Sequence, residues 1–440
     1  MKNYVFADLF SGCGGLSLGL TQAGLVGRFA IERDEMAFRT FAANLIDNKG
    51  AASSFSWPSW LEKKAWDIEE LLELHLHELT NLRGTIDILA GGPPCQGFSF
   101  AGRRNEDDPR NLLFKRYVEM VEALQPRALI IENVPGMRVA HARRNVVELQ
   151  PIDATDRKVS FYDKLVESLS AAGYKVDAML VNSSEFGVPQ KRSRLIAIGV
   201  RKDLCNWLDG GILRAFKLLE EEKAKQLAVL GLASTVTASD AISDLEIDKQ
   251  PLVDCVDPES PRRFLEASYR GPRTAYQRLM NKGQQGPMDS MRLARHTDVV
   301  RDRFAKILQE CRKGVRMDDA SRQTYGLKKH RIYPMSASEP APTVTTLPDD
   351  ILHYLEPRIL TVREYARLQS FPDWFAFKGK FTTGGKRRTK ECPRYTQVGN
   401  AVPPLLARAI GSALCRLLDE VAMAQGAATK PFSQPALAMG

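Results

Sequence analysis

Residues 4–31 read YVFADLFSGCGGLSLGLTQAGLVGRFAI. An apolar run enters a turn holding Gly12, Gly14 and Gly15, leucines follow at helical spacing, and a second apolar run closes the unit. The pattern predicts a strand over 4–7, a helix over 16–23 and a strand over 29–31. The same rhythm returns in apolar runs at 86–90, 128–131, 174–180 and 195–199, with helical patterns at 36–44, 112–124 and 162–172. Such alternation predicts an α/β fold whose sheet is covered on both faces.

Beyond residue 200 the rhythm stops. A charged amphipathic helix is predicted at 216–229, and turn-rich sequence continues to about 347, as a second domain or an elaborated insertion. PPLLARAIGSALCRLL at 403–418 again reads as a helix opened by proline, and the last fifteen residues read as a frayed tail.

Composition narrows the classes. With 440 residues and 44% hydrophobic content the chain can bury a large core. The start lacks the pattern of a signal peptide, and no run approaches the roughly 18 apolar residues of a membrane span, so a cytoplasmic protein is expected. Lys and Arg exceed Asp and Glu by 62 to 53, a charge of +9 that suits a polyanionic partner or a solvated surface. Seven scattered cysteines show neither a disulfide framework nor a metal pair, the six histidines show no ligand spacing, and no metal is expected.

Three strand ends carry chemistry. The first turn, GxGG where GxGxxG would favour a nicotinamide cofactor, permits close ligand approach, and Glu32 follows seventeen positions after Gly15, a separation suited to a ribose contact. An ordinary glycine turn with a surface acid would read the same. The second, GGPPCQGFS, presents Cys95 on a turn that Pro93 and Pro94 stiffen. A free thiol is only about 3% thiolate at neutral pH, so a nucleophilic role demands a lowered pKa, whereas a buried cysteine is inert. The third, ALIIENVPGM, places Glu132 at the edge that carries Cys95 if the two strands are parallel. A carboxyl in apolar surroundings holds its proton more readily and can share it with a ring nitrogen, and a helix or turn cap is the simpler role. FGVPQKRSRLIAIG adds Arg192 and Arg194, which alternation would set on one face.

Taken in order, DLFSGCGGLSLG, ERD, WDI, GGPPCQGFS, ENV, QKRSR, LTVREYARLQSFPD and QVGNAVPP resemble the motifs of the DNA (cytosine-5)-methyltransferases, the bacterial modification type in particular, over residues 4 to 412. The resemblance implies a Rossmann-like S-adenosylmethionine-dependent methyltransferase fold with a smaller variable target-recognition domain. It divides the chain into a catalytic and cofactor-binding part at 1–200, a target-recognition region at 201–392 with an interdomain segment near 358–373, a return to the catalytic domain at 393–425 and a flexible tail at 426–440.

Roles follow from the resemblance position by position. Cys95 matches the nucleophile and Glu132 the acid that contacts cytosine N3. Gln190 and Arg194 match residues near the target base, and Arg192 matches a support of the active site. Phe10, Gly12, Gly14, Leu16, Glu32, Asp67, Ile68, Pro93, Asn400 and Val402 match the S-adenosylmethionine site, whose product is S-adenosylhomocysteine. Arg363 and Glu364 are expected to be structural. Arg387 and Arg388, in the basic stretch KFTTGGKRRTKECPR, are expected to contact DNA, although a solvated loop reads the same way. GNAVPP stands where GNSVPP is common, so Ala401 offers no hydroxyl, and ASSFSWPSWLEKKA at 52–65 reads as an insertion over the cofactor or against DNA.

The activity so implied is transfer of a methyl group to C5 of a flipped cytosine in a specific duplex sequence, through a covalent cysteine–C6 intermediate. Cytosine C5 becomes nucleophilic only after attack at C6. The implied setting is self-marking of DNA in a bacterial restriction-modification or related defence system, by a monomer without a required stable complex with its nuclease. Methylation of transfer RNA and non-enzymatic DNA binding are the alternatives.

Overall fold

The computed structural model describes residues 3–48, 55–93, 113–138, 160–249, 251–327, 331–383, 387 and 390–428. Its centre is built from β1 (Val5–Leu9), α1 (Gly15–Gln22), β2 (Val26–Ile31), α2 (Glu35–Phe41), α3 (Ile68–Asn81), β3 (Ile88–Gly91), α4 (Leu113–Leu124), β4 (Ala128–Asn133), α5 (Phe161–Ala171), β5 (Tyr174–Asn182), the short β6 (Gln190–Lys191) and β7 (Ser193–Arg201). Six of the strands form one sheet in the order β2-β1-β3-β4-β7-β5. The first four run parallel, and β7 lies antiparallel between β4 and β5.

Period-two patterning explains why both faces are covered. Phe6, Ile88, Ala90, Ala128 and Ile130 point into one apolar core, while Ala7, Leu9, Leu89, Leu129 and Ile131 point into another. Helices α3, α4 and α5 fill the second core through Leu71, Tyr117 and Leu165. The first core is closed by α1 and by two helices from late in the chain.

Those late helices belong to the series α6 (Lys202–Cys205), α7 (Leu213–Leu230), α8 (Ala238–Ile242), α9 (Ala275–Asn281), α10 (Asp298–Glu310), α11 (Asp319–Thr324), α12 (Val362–Leu368), α13 (Arg394–Asn400) and α14 (Pro404–Ala428). The contact of α14 with α1 is close: a Cβ on Gly19 would stand 2.4 Å from both the Ala407 Cβ and the Pro404 carbonyl oxygen. The expectation that no run has the length of a membrane span is corrected here. The helical stretch Arg394–Ala427 is long and apolar enough, and 78% of its apolar window is buried inside the protein. It serves as a core helix, with Leu406, Ile410, Leu414 and Leu417 completely buried.

Two further features position the site. Residues after 54 return along the exposed edge of β2, where Phe55 bridges Gly27 and Ser56 N donates to the Gly27 carbonyl over 2.7 Å. Buried arginines on α12 and α13 tie those helices to the chain between residues 241 and 289 and to the segment that follows α12. Arg367 binds Asp373 and Asp244, Arg363 donates to the Asp289 and Phe375 carbonyls, and Arg394 holds Asp257 and Glu259. Glu364 makes a two-point contact with Arg358. A satellite core around Phe304, Ile307, Leu308 and Met317 belongs to α10 and its neighbours.

Candidate functional site

Parallel β1, β2, β3 and β4 put their carboxyl ends on one edge of the sheet, where open α/β sheets bind ligands. Because β7 runs the other way, its first residues reach the same edge. The register sets Asn133 opposite Leu195 and Glu132 opposite Ile196, so Arg194 rises beside Glu132.

On one side of this edge lies the glycine turn. Phe10, Gly12 and Gly14 have φ of 58°, 56° and 97°, left-handed values that cost glycine little and that Phe10 adopts under constraint. Ser11 N donates to the Ile31 carbonyl, bringing the turn against the end of β2. There Glu32 accepts from Gly12 N at 2.9 Å and from Asp34 N at 2.7 Å. Burial pushes the Glu32 carboxyl up, and those two backbone donors pull the other way. Trp66 N donates to the Glu32 carbonyl, which brings Asp67 and Ile68 alongside; Asp67 caps α3 through Glu69 N, and Ile68 is buried. The last motif packs against the same turn. Leu16 and Val402 share one core, and a Cβ on Gly15 would lie 2.3 Å from the Val402 carbonyl oxygen, so α1 begins in direct contact with residue 402. Asn400 is exposed.

A Cβ on Gly12 would meet nothing within 4 Å, leaving room for a ligand. Two buried oxygens nearby, Asp8 Oδ1 and Ser11 Oγ, have no hydrogen-bond partner among the described residues. Asp8 also accepts from Ser17 Oγ at 2.6 Å. Burial pushes its carboxyl up to about 7, the Ser17 hydrogen bond opposes the shift, and the nearby Glu32 charge adds to it. An open glycine turn, a carboxylate beyond β2 and unmet acceptors fit a ligand with hydroxyl groups and a cationic centre. Among the described residues no group of three His, Cys, Asp or Glu side chains could hold a metal ion.

The other side holds Glu132 and Arg194. Arg194 Nε lies 2.7 Å from Glu132 Oε1, each side chain 12% exposed. The N–H does not point along that contact, and Oε1 accepts no hydrogen bond among the described residues. Arg194 also donates through Nη1 to the Ser193 carbonyl. Gly92 sits beneath the acid, where a Cβ would approach Glu132 Oε2 to 3.4 Å. Asn133 Nδ2 donates to the Pro93 carbonyl at 3.0 Å, fixing the end of the segment that leads to Cys95. Cys95 itself and Arg388 lie outside the described residues. Arg387 is exposed.

Arg192 and Arg194 do not belong to one strand. The ladder of the main sheet begins at Ser193, and β6 pairs instead with Ala341 and Pro342. Arg192 consequently turns inward, where Nη2 donates to the Gly399 and Ala401 carbonyls and Nη1 to that of Val344. Burial, with the charge of Arg194, lowers its pKa well below the usual arginine value. Gln190 is completely buried, its amide bonded to Leu368, Gln369 and Val344.

Sequence reasoning passed over Asp8, Asn133 and Gln369. The first two were visible as the acid before a glycine turn and the amide after Glu132. Gln369 carried no local signal, since its partners are distant in the chain.

The description of C-5 cytosine-specific DNA methylases matches residues 4–416. The type II methyltransferase M.DdeI of Desulfomicrobium norvegicum is 32% identical over 94% of this chain and 89% of its own length. M.XorII of Xanthomonas oryzae pv. oryzae is 32% identical over 95% and 86%. A crystal structure described as a DNA modification methyltransferase encoded within a prophage (E. coli) superposes with a TM-score of 0.62 at 26% identity, covering 95% of this chain and all of that one.

Proposed function

Because the chain belongs to the C-5 cytosine-specific DNA methylase family, we propose that it methylates C5 of a flipped cytosine within a specific duplex sequence, using S-adenosylmethionine and a covalent cysteine intermediate. The observation that carries this reading is the meeting of Glu132 and Arg194 beside the Pro93 turn, at the sheet edge that also bears the glycine turn and Glu32.

When bound, S-adenosylmethionine supplies an electrophilic methyl group and leaves as S-adenosylhomocysteine. Phe10, Gly12, Gly14 and Leu16 would line its site, Glu32 would accept from its ribose, and Asp67, Ile68, Pro93, Asn400 and Val402 would complete the walls. The unmet Asp8 Oδ1 offers one more acceptor there.

Cys95 is assigned as the nucleophile. Its thiolate adds to cytosine C6 and displaces an electron pair toward N3, where Glu132 delivers a proton through the oxygen that accepts no internal hydrogen bond. Arg194, held against the same acid, orients it and faces the developing charge on the ring. C5 then takes the methyl group, a base removes the C5 proton, and the electron pair of that C–H bond expels the thiolate as N3 returns its proton to Glu132. Arg192 acts at one remove, as a support for the strand that presents Arg194.

Duplex cytosine must leave the stack to reach this pocket, at a cost of a few kcal/mol recovered in contacts to opened DNA. Arg387 and Arg388 are assigned to the phosphates. The setting we propose is the bacterial cytoplasm, as a monomer marking self-DNA alongside a restriction nuclease or related defence proteins.

Purified protein given S-adenosylmethionine labelled in its methyl group should transfer label to C5 of cytosine in duplex DNA. Bisulfite sequencing of DNA from cells expressing this gene should reveal one motif. Label appearing in transfer RNA and absent from duplex DNA would overturn the assignment.

A further inference from the structure

Three motifs distant in sequence meet in one buried knot of amides. Gln369 follows α12 and is completely buried. Its Nε2 donates to the Val398 carbonyl at 2.7 Å and to the Ala401 carbonyl at 3.2 Å. Two carbonyl oxygens facing one nitrogen fix which end of the amide is which, so Gln369 Oε1 must accept, and it does so from Gln190 Nε2 at 2.9 Å. Gln190 in turn donates to the Leu368 carbonyl and accepts from Val344 N. Arg192 completes the knot, since Nη2 reaches the Gly399 and Ala401 carbonyls.

The knot holds the backbone on either side of Asn400, with Val398 and Ala401 bound by Gln369 and Gly399 and Ala401 bound by Arg192. The next carbonyl, Val402, is the one that abuts Gly15 in the glycine turn. Immediately beyond Arg192, β7 presents Arg194 to Glu132. One amide therefore sets the wall of the cofactor pocket and, through Gln190 and Arg192, the strand that reaches the base side.

We propose that Gln369 is a positioning residue for methyl transfer. It holds residues 398–402 in the register that the cofactor site requires and couples that register to Arg194. The inference rests on the methylase reading. Buried amides that also serve as mere struts exist elsewhere in the chain and supply the control. Gln277 is likewise completely buried, donates to Ser243 Oγ and accepts from Arg273 N and Thr274 N, within the region that follows residue 230.

The test compares Gln369→Met with Gln277→Met, an amide-for-thioether exchange of similar length, by denaturant midpoint and by calorimetric titration with S-adenosylmethionine. Gln369→Met is expected to raise the cofactor Kd about tenfold, ~1.4 kcal/mol, and the cofactor KM with it. Gln277→Met should lower the denaturant midpoint while leaving that Kd within about twofold of the wild type. Gln369→Asn keeps the amide but shortens its reach, and its intermediate loss carries the same test should the methionine variant fold poorly. A cofactor Kd unchanged in both Gln369 variants, or raised equally by Gln277→Met, overturns the proposal. Wild-type protein that does not bind S-adenosylmethionine overturns the underlying methylase reading as well.

Discussion

Arg194 Nε stands 2.7 Å from Glu132 Oε1, across an antiparallel ladder that fixes both residues at the edge of the sheet. A guanidinium so close would normally saturate its carboxylate. Here the N–H points aside, and Oε1 accepts no hydrogen bond among the described residues. The pair sets a guanidinium against a carboxyl oxygen that makes no hydrogen bond to the described residues.

Glu132→Gln keeps the shape of this side chain and removes its capacity to exchange a proton. Turnover of duplex DNA should fall by roughly 10²- to 10⁴-fold, the usual worth of a positioned acid or base. Cofactor affinity should not change. Single-turnover transfer and calorimetry separate the two, and a parallel loss of cofactor binding would count against the assigned role.

Asn133→Leu leaves the Pro93 carbonyl without the donor that now stands 3.0 Å away. Loss of that donor costs about 1–3 kcal/mol if the acceptor remains buried, and Pro93, two residues before Cys95, loses its anchor. Trapping on a duplex carrying 5-fluorocytosine should slow by about 100-fold, the penalty of a misplacement near 1 Å. Unchanged trapping would show that Pro93 is held by other contacts.

Asp8 makes a pH prediction. Burial raises its carboxyl from 3.8 to about 7, so the folded chain retains a proton that the unfolded chain releases across that interval. The stability Asp8 contributes is full below about pH 4 and is lost as pH rises through about 7. Asp8→Asn removes this dependence. Urea midpoints followed from about pH 5 to 8 should fall less steeply with pH in the variant than in the wild type.

Gly15→Ala drives a methyl group to within 2.3 Å of the Val402 carbonyl oxygen, and a backbone atom cannot step aside as a flexible side chain can. The crowding should cost about 1–3 kcal/mol of stability. It should also weaken the cofactor, because the glycine turn and residue 402 are forced apart. Thermal shifts with and without S-adenosylmethionine report both effects.

Much of this was legible in the chain. Strand-turn-helix alternation indicated an α/β sheet covered on both faces, and a common edge for Cys95 and Glu132 followed on the condition that their strands were parallel, which β3 and β4 are. The QKRSR segment was not so readable. Alternation predicted paired arginines, but β6 leaves the main sheet to pair with Ala341 and Pro342, and Arg192 turns into the interior. Such a change of partner is a tertiary event with no local periodicity. The roles of Gln190 and Gln369 were hidden for the same reason, since hydrogen bonds to partners up to 179 residues away leave no mark in neighbouring sequence. The long C-terminal helix shows the converse. Its composition suits a bilayer, and only its packing reveals a core element.

The seating of α14 on α1 has a consequence for how the protein is made. Part of one hydrophobic face of the sheet waits for residues that leave the ribosome nearly four hundred positions after β1. Until then Leu16, Leu20 and the Gly19 groove stay uncovered, and the wall formed by residues 398–402 does not exist. Synthesis therefore leaves the glycine turn without its partner at residue 402 in every nascent chain, and a message cut short near its end yields a sheet domain with one core open.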